Sequence, residues 1–254
     1  MRLVTWNCCR GAYSTKVPLL DPLTADVAVV QECAKPDVES ETCLWFGDNP
    51  RQGIAVKTSN SYRVRALPRS VHVPKFVFPV QVLGPNNFTL IAVWSKGGQK
   101  YRYVMGVVKA VQTYRAFFES SPTILIGDLN SNAIWDTSHP PGLNHSALIS
   151  LLSELGLVSS YHYFYGEAQG LETRPTCYLL WNKDRPYHID YCFVPTSWAP
   201  RIERVDIGSY DEWKQHSDHR PLLIDVSDSA AEPAHAADPF RRLRPPTRAA
   251  GGRR

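Results

Sequence analysis

A chain of 254 residues with 43% hydrophobic side chains can bury one sizeable core, and it holds no apolar run near the roughly 18–20 residues that a membrane-spanning helix requires. Its formal charge of +4 is unevenly placed: residues 228–254 carry six arginines (Arg241, Arg242, Arg244, Arg248, Arg253, Arg254) against Asp228, Glu232 and Asp238. That surplus of +3 leaves +1 for residues 1–227, so the net charge of the body does not point to a polyanionic partner.

Residues 2–9 read as a strand whose end, at Asn7, leaves the core; a strand entered at once has no signal peptide before it, and a cytoplasmic protein is expected. A proline-punctuated helical stretch over 16–23 leads to the apolar run 27–30, a buried strand ended by Gln31 and Glu32. Further strands are expected at 53–57, 62–67, 77–83 and 88–94, the last two joined by a hairpin turn at 84–87. Apolar residues at helical spacing over 103–119 predict one amphipathic helix, which delivers the chain to a short buried strand at 123–126. There Gly127 permits a sharp turn, and Asp128 and Asn130 emerge at the lip of the core.

A second helix is expected over 145–157, then an aromatic loop at 161–165, a strand at 176–181 and a charged turn at 183–185. In the strand over 187–194 the period of two puts Asp190 and Cys192 on one face and Ile189, Tyr191 and Phe193 on the other. Asp218 and His219 precede the closing strand. Beyond about residue 227 the chain is rich in Ala, Pro and Arg, so one domain over 1–227 and a disordered basic tail over 228–254 are expected. The six cysteines (Cys8, Cys9, Cys33, Cys43, Cys177, Cys192) lack C-x-x-C spacing, which favours free thiols over a disulfide framework or zinc site.

Five polar strand ends therefore recur: Asn7, Glu32, Asp128 with Asn130, Asp190, and Asp218 with His219. Taken singly each has an ordinary explanation, such as an Asx turn for Asp128, a solvated strand end for Glu32, a turn cap or a pairing with Arg220 for Asp190, and a satisfied core histidine for His219. Together, spread over more than 200 residues yet each at a strand end, they look like an enzyme site assembled on rigid elements.

In Trp6-Asn7, Gln31-Glu32, Gly127-Asp-Leu-Asn-Ser131, His188-Ile-Asp-Tyr191 and Ser217-Asp-His-Arg-Pro221, in that order, the chain resembles the endonuclease/exonuclease/phosphatase superfamily, the group of deoxyribonuclease I and exonuclease III. The resemblance spans residues 1–227. It implies an α/β (α+β) fold: a four-layer α/β/β/α sandwich of two packed, mostly antiparallel sheets with outer helices.

It also implies roles by position. Glu32 and Asp218 would ligate Mg²⁺ or Mn²⁺, supported by Asn7; Asp128 would orient or deprotonate the attacking water; Asn130 would hold a phosphate oxygen; His219, steadied by Asp190, would stabilise the transition state. Two departures stand out. Cys9 occupies a position where many of these nucleases carry an acidic residue, which implies one metal or weaker affinity, and Trp94, followed by Ser95 and Lys96, stands where His or Tyr is common. The expected function is metal-dependent hydrolysis of nucleic acid, DNA rather than RNA, with Trp94, Lys96, Trp181 and Arg220 as candidate substrate contacts. A small phosphoester as substrate, or an inactive binding module, are the alternatives; oligomeric state is not legible.

Overall fold

The apolar runs at 27–30, 88–94 and 123–126 become central strands of two facing sheets. The computed structural model describes residues 1–97 and 101–228. Its strands are β1 (Arg2–Asn7), β2 (Val27–Cys33), β3 (Cys43–Asn49), β4 (Gln52–Thr58), β5 (Arg63–Ala66), β6 (Val77–Leu83), β7 (Phe88–Trp94), β8 (Thr123–Asp128), β9 (Leu157–Ser159), β10 (Cys177–Tyr178), β11 (Pro186–Tyr187), β12 (Asp190–Pro195), β13 (Ile202–Ile207) and β14 (Leu222–Val226). Its helices are α1 (Tyr13–Lys16), α2 (Val104–Thr113), α3 (Arg115–Ser120), α4 (His145–Glu154), α5 (Ser160–Tyr165) and α6 (Tyr210–Trp213). One sheet runs β13-β14-β1-β2-β4-β3, the other β5-β6-β7-β8-β12-β9, and β10 and β11 form a separate ribbon.

Three apolar layers hold these elements together. Between the sheets, Leu3, Val27, Val29 and Ile54 of the first meet Leu90, Ala92, Trp94, Ile124, Ile126 and Cys192 of the second. Val107, Val108, Val111, Leu148 and Leu152 of α2 and α4 cover the outer face of the second sheet, against Ile91, Val93, Leu125, Tyr191 and Phe193. On the far side, Val17, Leu20 and Trp213 cover Val4, Trp6, Val30 and Leu223. Each fully buried aliphatic side chain contributes about 1.5–3 kcal/mol. This is the four-layer sandwich with mixed sheets, and the period-of-two reading of β12 holds, with Cys192 facing inward and Tyr191 and Phe193 outward.

Several local expectations are corrected. The helix over 103–119 is two helices, broken at Tyr114 (φ −94°, ψ 15°), whose buried ring reaches across so that its hydroxyl accepts from the Ser70 N–H at 3.3 Å. The aromatic stretch 161–165 is helical, in α5, and the strand over 176–181 keeps two strand residues before a 3₁₀ turn at Leu179–Trp181. Strands β3 and β13 were not expected; they are the two edges of one sheet, where alternating charges and a Gly-Asp-Asn ending obscure the apolar signal. The hairpin at 84–87 is present, its Gly84 N–H donating to Asn87 Oδ1 at 3.0 Å. All six cysteines are free thiols. The expected tail lies, from residue 229 on, outside the described residues, among which no helix is long and apolar enough to cross a membrane.

What places the polar strand ends together is a shared topological feature. Each sheet has a central parallel pair, β1–β2 in one and β7–β8 in the other, and the carboxyl ends of these four strands lie at one edge of the sandwich. Antiparallel β12 begins there, with Asp190 opposite Asp128, and β14 begins there just after Asp218-His219.

Candidate active site

Asn7 joins the two sheets at that edge. Its Nδ2 donates to Asp128 Oδ2 at 2.9 Å and to Glu32 Oε1 at 3.2 Å, while its Oδ1 accepts from the Cys9 N–H at 3.0 Å. The last bond settles the orientation of the amide, since the reverse would set its oxygen against two carboxylates. Glu32 is thrown out of β2 by a bulge, between Gln31 and Cys33 in the pairing with β4, and takes φ 59° there. Its other oxygen accepts from Gln52 Nε2 at 3.1 Å, and exposed Arg10 lies 3.7 Å away.

Asp128 is completely buried and tightly held. Oδ1 accepts from the Asn130 N–H at 2.7 Å and Oδ2 from Asn130 Nδ2 at 2.9 Å; the other hydrogen of that amide goes to the Ser95 carbonyl at 2.8 Å. Both amide hydrogens of Asn130 are thus engaged, one with Asp128 and one with the Ser95 carbonyl. Burial pushes the Asp128 carboxyl up, Asp190 adds to the rise, and His219 and the two asparagine donors pull against it; the result is about 7.

Asp190 Oδ2 faces His219 Nδ1 at 2.8 Å, both residues buried. Desolvation opposes charge on the imidazole, yet Asp190, with the Cys177 thiol beside the ring, outweighs it and holds the His219 pKa well above its ordinary value. The Thr176 hydroxyl oxygen accepts from the N–H groups of Ile189 and Asp190, both at 3.0 Å, and so fixes the start of β12. Ser217 donates to the Asn7 carbonyl at 2.7 Å and accepts from the His219 N–H at 2.9 Å, tying the Asp218-His219 turn to β1. Thr176 and Gln52 were missed from the sequence because they are ordinary polar residues whose importance comes from the partner that folding brings. Ser217 lay inside a quoted motif.

The structure thus brings Asn7, Glu32, Asp128, Asn130, Asp190, Asp218 and His219 to one edge, with Cys9 close to Asp218. Burial, then Asp218 and Glu32, push the Cys9 thiol up to about 12. One ligand atom from each of Asp128, Asp190 and His219 lies within 4.8 Å of the others, a group able to hold a metal ion and different from the expected pair Glu32 and Asp218. Asp128 and Asp190 both lie close to the His219 ring, and the buried Asp190 Oδ1 has no hydrogen-bond partner. A free carboxylate oxygen there fits a hard divalent cation.

The expected substrate contacts are placed differently. Trp94 is 3% exposed and packs on Phe76, with Lys96 Nζ 4.3 Å above its ring, so its faces are covered by protein. Arg220 is fully buried: Nη1 donates to the carbonyls of Ser217 (2.8 Å) and His219 (2.9 Å), and the guanidinium lies 5.0 Å from the ring of Tyr178 and 4.9 Å from that of Tyr210. Trp181 is 46% exposed on the turn between β10 and β11. Because Arg220 grips the carbonyls on both sides of Asp218, Arg220→Ala is expected to destabilise the fold by about 2–4 kcal/mol, from the orphaned Ser217 carbonyl and the cavity, while the His219 carbonyl keeps its bond from Trp6 Nε1 at 3.3 Å. A shift in urea midpoint equivalent to less than 1 kcal/mol would show that the clamp is dispensable.

Two facing six-stranded sheets with outer helices make a four-layer α/β/β/α sandwich, the DNase I-like fold. Among solved structures the chain is similar to a 3'-5' exonuclease, NExo, from Neisseria meningitidis (19% identity, 89% of this chain and 100% of that one, TM-score 0.68). It is also similar to a 3' phosphatase NExo from Neisseria bound to product DNA hairpin (19%, 89% and 99%, 0.64) and to an AP endonuclease from Archaeoglobus fulgidus (15%, 89% and 99%, 0.63). No family model matches the chain and no curated protein matches its sequence, so the likeness is one of fold.

Proposed function

We propose that this protein is a divalent-metal-dependent phosphodiesterase that hydrolyses nucleic acid, with DNA as the preferred substrate. The observation that carries the reading is the convergence, at one sheet edge, of a base-like carboxylate (Asp128) and a carboxylate-paired imidazole (His219). Glu32 and Asp218 would hold Mg²⁺ or Mn²⁺, supported by Asn7. Bound there, the ion would polarise a phosphoryl oxygen and neutralise developing charge. Asp128, titrating near neutrality, accepts a proton from the attacking water, and Asn7 and Asn130 keep its lone pairs in place. His219 is cationic at neutral pH and sets positive charge where the leaving or non-bridging oxygen becomes negative, with Asp190 fixing its ring. The similar folds of NExo and of the archaeal AP endonuclease support nucleic acid as the substrate class.

A second reading, hydrolysis of a small phosphoester, is favoured by one feature. A cavity of about 390 Å³ lies between Asn132, Glu172, Tyr178, Tyr187 and His188, of which Tyr178 donates its N–H to the Asp218 carbonyl at 2.8 Å, and it is large enough for a nucleotide-sized molecule. The deciding experiment is cleavage of supercoiled plasmid, labelled single-stranded DNA and RNA, and a panel of small phosphoesters, with Mg²⁺, Mn²⁺ or EDTA, by wild type and His219→Ala. Metal-dependent DNA cutting lost in the variant is the expected result. Turnover of the small esters alone would transfer the function to the second reading, and equal activity in both proteins would exclude the site.

A further inference from the structure

We propose that the turn carrying Leu180 and Trp181 is a base-stacking finger, which seats an unpaired nucleobase beside the reacting phosphate and so favours single-stranded or locally unpaired nucleic acid over continuous duplex. The proposal deepens the reading above and rests on it. Leu180 and Trp181 are 68% and 46% exposed, and Trp181 is the one exposed tryptophan among the described residues. Trp94 packs on Phe76 and Trp135 on Tyr187, whereas no ring among the described residues packs on the Trp181 indole. Both residues take left-handed backbone angles (φ 55° and 58°), a conformation that suits glycine or asparagine and that a larger residue holds only where its surroundings impose it. Neither burial nor turn chemistry accounts for two large apolar side chains there.

What imposes the conformation is the edge of the site itself. The Leu180 N–H donates to Asp218 Oδ2 at 3.3 Å and the Tyr178 N–H to the Asp218 carbonyl at 2.8 Å. The Leu179 N–H donates to the Arg185 carbonyl and the Arg185 N–H to the Asn182 carbonyl, both at 3.0 Å, and the Tyr210 hydroxyl donates to the Trp181 carbonyl at 3.1 Å. Two apolar side chains are thus held in solvent at a fixed place beside Asp218. The flank selects the occupant: Lys183 and Arg185 are exposed, and neither has a carboxylate in ion-pair contact among the described residues. A rigid indole between free cations and a phosphate-cleaving site suits a base, whose neighbours along the strand are phosphates. In continuous duplex the face of that base is covered by the next pair and must first be unstacked, with Leu180 filling the gap; an unpaired base avoids that cost.

The test is equilibrium binding of fluorescently labelled DNA oligonucleotides to the full chain in EDTA, followed by Mn²⁺-dependent cleavage, for wild type, Trp181→Ala, Trp181→Phe and Leu83→Ala. The oligonucleotides are a single strand, its continuous duplex, and that duplex with one unpaired base; Leu83, 37% exposed at the far end of β6, is the control position. Wild type is expected to bind the two substrates with unpaired bases more tightly than the continuous duplex. Trp181→Ala should lose about tenfold on those two, with a matching rise in KM, Trp181→Phe should recover most of the loss, and Leu83→Ala should bind as wild type does. Unchanged binding in Trp181→Ala, or a loss as large on the continuous duplex, overturns the finger and, where wild type cuts DNA, leaves the nuclease reading standing. A wild type that neither binds nor cuts nucleic acid and turns over only small phosphoesters overturns both.

Discussion

Asp128→Asn is expected to lower phosphodiester hydrolysis by about 10²–10⁴-fold, because the amide keeps the volume of the carboxylate and cannot take a proton from water. Wild-type kcat/KM is expected to rise with pH through an apparent value near 7, where burial places the carboxyl, and the residual activity of the variant to lose that limb. The same substitution has a signature in stability that owes nothing to catalysis. The folded carboxyl titrates at about 7 against an ordinary 3.8, so between those values the native state holds a proton that the unfolded chain has released. Its stabilising contribution is complete below about pH 4 and is lost as pH rises towards 7. His219 acts in the same direction: its raised value makes its contribution complete below its unfolded value and lost as pH climbs through the folded one. Denaturant midpoints in EDTA should therefore fall from pH 4 to pH 8 in wild type and fall less steeply in Asp128→Asn. Identical slopes would mean that Asp128 is already ionised throughout, and its role as the base would have to be given up.

Gly127→Ala, one residue earlier, should act on the fold itself. Gly127 has φ +143°, and a Cβ there would lie 1.9 Å from the carbonyl oxygen of Val93, its partner across the parallel β7–β8 pair. Neither side can yield cheaply, since both are backbone in the centre of a sheet with apolar layers on both faces. A loss of about 3–5 kcal/mol is expected, enough to unfold a domain of ordinary stability at 37 °C. Should the variant fold, the strain would displace Asp128, so circular dichroism with chemical denaturation is the proper measurement and activity the secondary one. A shift below 1 kcal/mol would show that the strand can move away, and that the close β7–β8 approach does not require glycine at position 127.

Position in the sequence made the central strands and the polar residues at their ends legible. Fully buried strands such as β7 and β8 read as continuous apolar runs, and a charged or amide residue at the end of such a run is conspicuous because burying it needs a partner. The order of the five motifs pointed to one fold, whereas the turn read at Gly127 is continuous strand: β8 runs on to Asp128, with Gly127 paired to Val93 and Tyr191. The edge strands β3 and β13 were hidden because a half-exposed strand has no such run, and α5 was hidden because its aromatic residues are poor helix formers that favour strand. Which groups touch could not be read from spacing. Asn7 meets Asp128 across 121 residues and His219 meets Asp190 across 29, contacts created by two parallel strand pairs ending at one edge. The inward turn of Arg220 and the enclosure of Trp94 were settled there as well. Each depends on what packs against the side chain from a distant part of the chain, and local sequence preference carries no term for that.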